Sequence, residues 1–230
     1  MRKKAFTMIE LLIVIVLVAI LAASAIPRFK RDTRAEAINH MLTMIRYTQN
    51  LALHDSKHSA TDVKWQQSFW RFAIRHCSNY GIYYQIGSDS DFNGGISKEE
   101  SAIDPSNGKF THWMGTKACP KPSSIESDIS PNIFITQKYG IKEATFNSCS
   151  IIKNIGSTSS SSAKYIGFDN FGRPMKGYLD SNGTSYPNYS GHVVGNCKIK
   201  FEFEDSSIAP FTIIVPKETG YAYLEENPNL

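Results

Sequence analysis

The sequence lacks the short motifs by which common enzyme families are recognised. Its six histidines form no HExxH pair, and no GxSxG, P-loop or dinucleotide fingerprint occurs. Net charge is also low: it is formally +4, and without the three basic residues at positions 2–4 the balance is 22 basic against 21 acidic residues. A broad nucleic-acid surface needs a clustered positive field. The sequence therefore favours neither catalysis nor broad nucleic-acid binding.

Cysteine is scarce and widely spaced. Cys77, Cys119, Cys149 and Cys197 are 42, 30 and 48 positions apart, so no CxxC pair is present for zinc, thiol redox chemistry or haem attachment. In an exported chain such residues are typical of structural disulfides. Three connectivities are possible, and we expect the sequential one, Cys77 with Cys119 and Cys149 with Cys197.

One long apolar run stands near the start of the chain. Residues 6–26 contain a single charged side chain, Glu10, and as a helix they extend roughly 31 Å, enough to cross a bilayer. The basic start, the apolar run 11–21 and the small residues 23–25 are also typical of a cleaved secretory signal peptide. That alternative leaves Glu10 unexplained, because an isolated carboxylate in a membrane costs on the order of a few kcal/mol unless it finds a partner.

Apolar residues with helical spacing continue after the first run. They are Ala35, Ile38, Leu42, Ile45 and Ala52. Pro27 bends such a helix without necessarily ending it. The pattern predicts an amphipathic continuation of the helix over residues 27–54.

Beyond residue 54, short alternating runs separated by turn residues predict strands. The clearest is 198–204, with Ile199, Phe201 and Phe203 on one face. The other predicted strands are 68–74, 81–86, 133–137, 165–168, 211–215 and 221–224. We expect an α+β fold: a long N-terminal helix packs on an antiparallel sheet or sandwich, and residues 55–230 form a head with a loop insertion at 88–122.

The first residues resemble the class III leader of type IV pilins and type II secretion pseudopilins. The resemblance is carried by Lys3-Lys4-Ala5-Phe6-Thr7-Met8-Ile9-Glu10-Leu11-Leu12, the apolar run and Ala25-Ile26-Pro27. It implies that a prepilin peptidase removes residues 1–5, between Ala5 and Phe6, and that the new amine is methylated. Ala5 stands where the family usually has glycine, and both are small. It also implies filament assembly through Phe6, Glu10 and Pro27, with Glu10 neutralised by a neighbouring subunit's ammonium.

The head resembles the H-type minor pseudopilins of the GspH/FimT family. The resemblance rests on residues 49–54, 65–75, 165–174 and 217–221. It implies a structural, non-catalytic subunit of a type II secretion or type IV pilus-like periplasmic filament, anchored in the bacterial inner membrane with its head in the periplasm. The implied partners are other pilins and pseudopilins, the prepilin peptidase, the inner-membrane assembly platform and the lipid bilayer. The alternatives are a competence pilin for DNA uptake and a signal-peptide-cleaved secreted binding protein or enzyme.

The insertion contains a calcium-loop pattern. Residues 89–100 satisfy D-x-[DN]-x-[DN]-G-x5-E at every position, for which the chance of a random match is about 3 in 10,000. The predicted ligands are the side chains of Asp89, Asp91 and Asn93, the carbonyl of Gly95, Ser97 directly or through water, and bidentate Glu100. The alternative is a polar hairpin loop without metal.

Two further patterns each have a structural alternative. The aromatic residues Trp65, Phe69, Trp70 and Phe72, beside basic residues, suit either stacking on single-stranded DNA or one core face of a strand, and we expect the core. Asn182 lies in an N-x-[ST] pattern, which is typical of a glycosylation site. Together with Gly183 it is also typical of the two-residue turn of a β-hairpin.

Overall fold

The computed structural model divides into two compact units, residues 1–33 and 34–230. It describes residues 7–25, 32–57, 59–61, 65–79, 81–93, 95–114, 117–149, 164–175 and 192–226. The α-helices are α1 (Met8–Ala25), α2 (Thr33–His54) and α3 (Ile135–Tyr139). The strands are β1 (Trp70–His76), β2 (Ile82–Gly87), β3 (Ile141–Asn147), β4 (Lys164–Phe168), β5 (Pro174–Met175), β6 (Cys197–Phe203), β7 (Phe211–Val215) and β8 (Tyr223–Leu224). The predicted α+β class is confirmed.

In the first unit, α1 is apolar around its whole circumference. Its large side chains, from Met8 to Leu21, are exposed. Among the described residues, no helix combines the length and the apolar character that crossing a membrane requires. Pro27 and the predicted junction between the two helices lie outside the described residues.

In the second unit, α2 buries one face against the sheets. Its buried residues recur every three or four positions: Ala37, Ile38, Met41, Met44, Ile45, Thr48, Gln49 and Ala52. This spacing places them on one side of a helix. The predicted stripe is confirmed at Ile38, Ile45 and Ala52, whereas Ala35 and Leu42 are only half-buried. The buried face is therefore rotated slightly from the predicted one.

The strands form two antiparallel sheets of four. Their orders are β2-β1-β4-β5 and β3-β6-β7-β8, and one cluster of buried side chains includes residues of α2 and of both sheets. In β6, Ile199, Phe201 and Phe203 are buried, as the alternation predicted. His40 of α2 contacts the hydroxyl of Tyr84 at 3.1 Å, so α2 covers the Tyr84 face of the first sheet.

The opposite face of the first sheet is covered by the insertion. The Tyr83 hydroxyl donates to the Trp113 carbonyl at 2.7 Å, and Gln85 Nε2 donates to the Ile96 carbonyl at 3.0 Å. All six residues of β2 are consequently buried. Asp104 ties the middle of this segment to the residues before α3, because its buried carboxylate accepts hydrogen bonds from Ser106, Asn107, Ser130 and Asn132.

Both predicted disulfides are present. Cys77–Cys119 joins the end of β1 to the end of the insertion, and Cys149–Cys197 joins the residues after β3 to the start of β6. The bridges close loops with sequence separations of 42 and 48 residues. Each bridge therefore restricts a long stretch of the unfolded chain, which in the chain-entropy model contributes roughly 4 kcal/mol.

One predicted strand is wrong, and two were missed, β3 and the two-residue β5. Residues 133–137 lie in a 3-10 turn, Pro131–Ile133, and in α3, which ends at Tyr139 and is capped by Gly140 with φ 67°. Proline in the first turn and a left-handed glycine after the last one favour a helix over a strand. The strand lies just beyond, as β3, whose register shifts between Ile141 and Glu143 and breaks the alternation by which strands are recognised.

Gln49 joins the end of α2 to two loops. Its Nε2 donates to the Gly172 carbonyl at 2.8 Å and to the Thr219 carbonyl at 2.7 Å. Gly172 and the neighbouring Gly220 both have positive φ, and a Cβ on Gly220 would lie 1.9 Å from the Gly172 oxygen. The close approach of these two loops requires glycine at position 220.

Replacing Gly220 with alanine is expected to destabilise the protein more than the same change at Gly108. Both glycines have φ near +70°, but a Cβ on Gly108 meets nothing within 4 Å. Gly108→Ala should cost about 1–2 kcal/mol for the backbone alone, and Gly220→Ala about 1–3 kcal/mol more for the clash. Urea unfolding of the full chain in mild detergent measures both. Equal losses would show that the two loops separate without cost.

Candidate metal centre

The predicted calcium loop begins where β2 ends and is closed by backbone hydrogen bonds. The Ser88 N–H donates to the Glu100 carbonyl at 3.1 Å, and the Ala102 N–H donates to the Ile86 carbonyl at 2.8 Å. The two ends of the loop therefore lie side by side. The first and last predicted ligands, Asp89 and Glu100, are brought together by this closure.

Three of the six predicted ligands converge. One carboxylate oxygen from each of Asp89, Asp91 and Glu100 lies within 4.8 Å of the other two. Calcium binds oxygen at about 2.3–2.6 Å, so two of its ligands are at most about 5 Å apart. The spacing of the three carboxylates is thus compatible with one calcium ion.

Glu100 is the most heavily hydrogen-bonded of the three. Its Oε1 accepts from the Ser90 N–H at 2.7 Å, the Ser90 hydroxyl at 2.8 Å and the Asp91 N–H at 3.1 Å, and its Oε2 accepts from the Ser97 N–H at 2.9 Å. Burial alone would raise the pKa of Glu100, but these hydrogen bonds outweigh it and lower the pKa to about 2. Glu100 is therefore ionised throughout the physiological range.

The middle of the loop is shaped by side-chain bonds to backbone. Asp91 Oδ1 accepts from the Asn93 N–H at 3.1 Å, and Asn93 Oδ1 accepts from the Gly95 N–H at 2.7 Å. Phe92 takes a left-handed conformation, with φ 59°. Asn93, Gly95 and Ser97 thus belong to the same folded loop as the carboxylates, whereas Gly94 lies outside the described residues.

Asp89 differs from the other two carboxylates because it is buried and faces a cation. It is 1% exposed, and its Oδ2 lies 3.4 Å from Nη2 of Arg71, which is 3% exposed. In the sequence, Arg71 is one of the basic residues beside Trp70 and Phe72, and no motif there pairs it with Asp89. The available signal was its alternation with Trp70 and Phe72, which places Arg71 on the face of β1 opposite theirs.

The donor set fits a hard divalent cation. The predicted ligands are all oxygen atoms, three carboxylates that converge and the neutral oxygens of Asn93, Gly95 and Ser97 in the same loop, which is the chemistry that calcium prefers. Bidentate binding by Glu100 would exchange some of its present hydrogen bonds for bonds to the ion. Calcium would supply charge neutralisation and a fixed loop geometry.

At the start of α1, Thr7 and Glu10 form a reciprocal cap. Glu10 Oε2 accepts from both the N–H and the hydroxyl of Thr7 at 2.8 Å, and the Glu10 N–H donates to Thr7 Oγ1 at 3.3 Å. This is a capping box, which satisfies backbone donors at a helix start. The role of Thr7 was not predicted, although T-x-x-E before an apolar run is the sequence signal for this motif.

The structure describes some of the remaining predicted residues and not others. Trp70 and Phe72 share a face of β1 and belong to the core as expected, whereas Trp65 lies in a 3-10 helix, Trp65–Ser68, and Phe69 precedes the strand. Ala5, Phe6, Pro27 and Asn182 lie outside the described residues.

Comparison with known proteins bears on the start of the chain. The family described as the prokaryotic N-terminal methylation motif matches residues 1–26. This motif is the leader of type IV pilins and pseudopilins, and it supports a membrane-anchored, type IV pilin-like protein. No curated protein and no solved structure matches the chain.

Glu100→Gln is expected to destabilise the calcium-free protein at pH 7 by about 1–2 kcal/mol. The glutamine amide cannot reproduce the hydrogen bonds that the charged, partly exposed carboxylate accepts. The folded-state pKa of about 2 lies below the ordinary 4.5, so the carboxylate stabilises fully above pH 4.5 and loses this effect as the pH falls toward 2. Urea unfolding of the full chain with chelator at pH 7, 4 and 2 measures the difference from wild type, which should vanish at pH 2.

The exposed neighbour Glu99 provides the control. Glu99→Gln should change stability by less than about 0.5 kcal/mol at each pH. A loss in Glu100→Gln that is as large at pH 2 as at pH 7 would contradict a role for the ionised carboxylate.

Proposed function

We propose that the protein is a minor pseudopilin, a structural subunit of a type II secretion or type IV pilus-like periplasmic filament. The observation that carries the proposal is the N-terminal methylation motif at residues 1–26. It is supported by a capped apolar helix after the predicted cleavage position and by a head with two disulfides, which suit an oxidising compartment such as the periplasm.

In this proposal, residues 6–26 anchor the chain in the inner membrane. Before processing the N-terminus faces the cytoplasm, where the prepilin peptidase removes residues 1–5, and the head lies in the periplasm. An apolar helix with its large side chains exposed needs lipid or other apolar helices around it. The partners are therefore lipid, the assembly platform and other pilins or pseudopilins.

Glu10 is proposed to set the position of the subunit in the filament. Removal of residues 1–5 creates an ammonium at Phe6, and a neighbour's ammonium can neutralise the Glu10 carboxylate in an apolar environment. Within the chain this carboxylate is held by Thr7. Assembly would then exchange or supplement a local hydrogen-bonded pair with an ion pair between subunits.

The mature chain is expected to begin at Phe6 with a methylated amine, since only that cut supplies a partner for Glu10. Intact mass of the protein extracted from membranes of a host with a prepilin peptidase decides this. A chain that begins at Ile26 would reveal an ordinary signal peptide and overturn the pilin-like assignment.

The matched variants Glu10→Ala and Thr7→Ala test the proposed role of Glu10 in filament assembly. Each variant breaks one half of the reciprocal capping box, but only Glu10→Ala removes the carboxylate. Both variants should be cleaved like wild type, and Glu10→Ala alone should be strongly depleted from purified filaments. Equal incorporation of the two variants would remove the assembly role of Glu10.

We also propose that residues 89–100 bind calcium. Asp89, Asp91 and Glu100 would provide the charged ligands, with Asn93, Gly95 and Ser97 completing the oxygen set. The proposal is supported by the match to the calcium-loop pattern at every position and by the convergence of the three carboxylates within 4.8 Å.

Calcium is expected to stabilise the full chain in mild detergent. At a hundredfold excess over the dissociation constant, binding to the folded state alone adds about 2.7 kcal/mol to the free energy of unfolding. Thermal unfolding with calcium, magnesium or chelator measures this, and magnesium should act weakly because it demands a smaller, octahedral site. Glu100→Ala should lose the calcium response, whereas Glu99→Ala should keep it. An unchanged wild-type melting temperature, with no heat of binding at millimolar calcium, would reject the proposal.

A further inference from the structure

Arg71 is a buried cation on the face of the first sheet that the insertion covers. It is 3% exposed, and its guanidinium lies over the Tyr165 ring, 5.9 Å from the ring centre. Burial lowers the pKa of Arg71, and the negative charge of Asp89 opposes that shift. A buried charge is tolerated only where nearby groups compensate for lost water, so the contacts of Arg71 show which groups depend on it.

Two of the groups that Arg71 contacts are predicted calcium ligands. Arg71 Nη2 lies 3.4 Å from Asp89 Oδ2 and donates to the Gly95 carbonyl at 3.4 Å. Asp89 is the first position of the calcium pattern, and Gly95 is the seventh, which contributes its carbonyl. One guanidinium nitrogen therefore contacts the same two oxygen-bearing groups that the metal would use.

The loop is also held on the sheet at a neighbouring point. Gln85, fully buried on β2, donates from Nε2 to the carbonyl of Ile96 at 3.0 Å. The adjacent carbonyls of Gly95 and Ile96 are thus bound by Arg71 and Gln85, respectively. Since Gln85 is uncharged, Arg71 is the member of this pair that affects cation binding.

We propose that Arg71 is the resident counter-cation of the 89–100 loop: it holds Asp89 and Gly95 while calcium is absent and competes with calcium for them. The inference rests on the proposed calcium function and concerns the regulation of that site. Calcium must displace the guanidinium from these oxygens or share Asp89 with it, and either costs binding free energy because two cations repel at short range. Arg71 therefore weakens calcium binding and makes the folded loop less dependent on the metal.

The test compares Arg71→Met with Arg75→Met in the full chain in mild detergent. Arg75 lies four residues further along β1, on the same face, and is half-buried, so its replacement removes a neighbouring cation as a matched control. Calorimetric titration with calcium chloride should give at least tenfold tighter binding in Arg71→Met than in wild type. Arg75→Met should stay within about threefold of wild type, which separates the contact of Arg71 from general charge.

Thermal unfolding provides a second measurement. Without Arg71, the buried Asp89 loses its cation, so the melting temperature of Arg71→Met in chelator should fall below that of wild type. Calcium should then raise it by more than it raises wild type. If Arg71→Met does not fold, Arg71→Gln replaces it, because the glutamine amide is neutral and can still donate to a carbonyl. The same results are expected from Arg71→Gln.

The outcomes separate this inference from the calcium proposal. Tighter binding in the Arg71 variants supports the inference, most strongly if wild type binds calcium too weakly to detect. Equal or weaker binding in the variants overturns the competition, while calcium binding by wild type still stands. If neither wild type nor the variants bind calcium, the calcium site itself is rejected and the role of Arg71 with it.

Discussion

The first sheet is covered on both faces, by α2 on one side and by the 88–122 insertion on the other. This constraint determines the pairing of many buried polar groups of the second unit. A strand buried on both sides cannot leave any polar group to water, so each one needs a partner within the protein. The residues that face the insertion include Arg71, Tyr83 and Gln85, all of which are buried. The insertion supplies their partners mainly as backbone carbonyls, those of Gly95, Trp113 and Ile96.

This arrangement also accounts for the form of the insertion. A segment that binds a sheet through its carbonyls needs its own polar groups satisfied locally, and Glu100 and Asp104, both in the middle of the segment, do this by accepting several hydrogen bonds each. The Cys77–Cys119 bridge fixes the end of the same segment to β1. In its described part, residues 88–93, 95–114 and 117–121, the segment is thereby held in place without an α-helix or a named strand, and the candidate metal loop belongs to this part.

Local pattern was enough to predict most of the second unit. Alternation located β6 and β7, the helical spacing located α2, and the sequential cysteine pairing is the one observed. The errors occurred where tertiary contacts or irregularities override pattern. The apolar run at 133–137 has the composition of a strand but lies between Pro131 and Gly140, which favour a helix, and β3 contains a register shift.

The convergence of three carboxylates at the candidate site could be predicted from the sequence, but their surroundings could not. The twelve-residue pattern identified Asp89, Asp91 and Glu100, because a metal loop takes its ligands from neighbouring positions in sequence. Arg71 is 18 residues from Asp89 in the chain and meets it only because β1 pairs with β2 at Arg71 and Gly87, next to the start of the loop. No local pattern contains that contact.

The two candidate functional sites share one physical feature, a carboxylate that already has a partner within the chain. Glu10 is held by Thr7, and Asp89 faces Arg71. A partner of this kind lowers the cost of a carboxylate in an apolar or buried position before any external cation arrives. It also reduces the net gain when that cation binds, because the internal contact has to be exchanged. In the proposed function, Glu10 before assembly and Asp89 before metal binding each already have a partner in the chain, and the affinity of each site for its external cation is set by the difference between two partnered states.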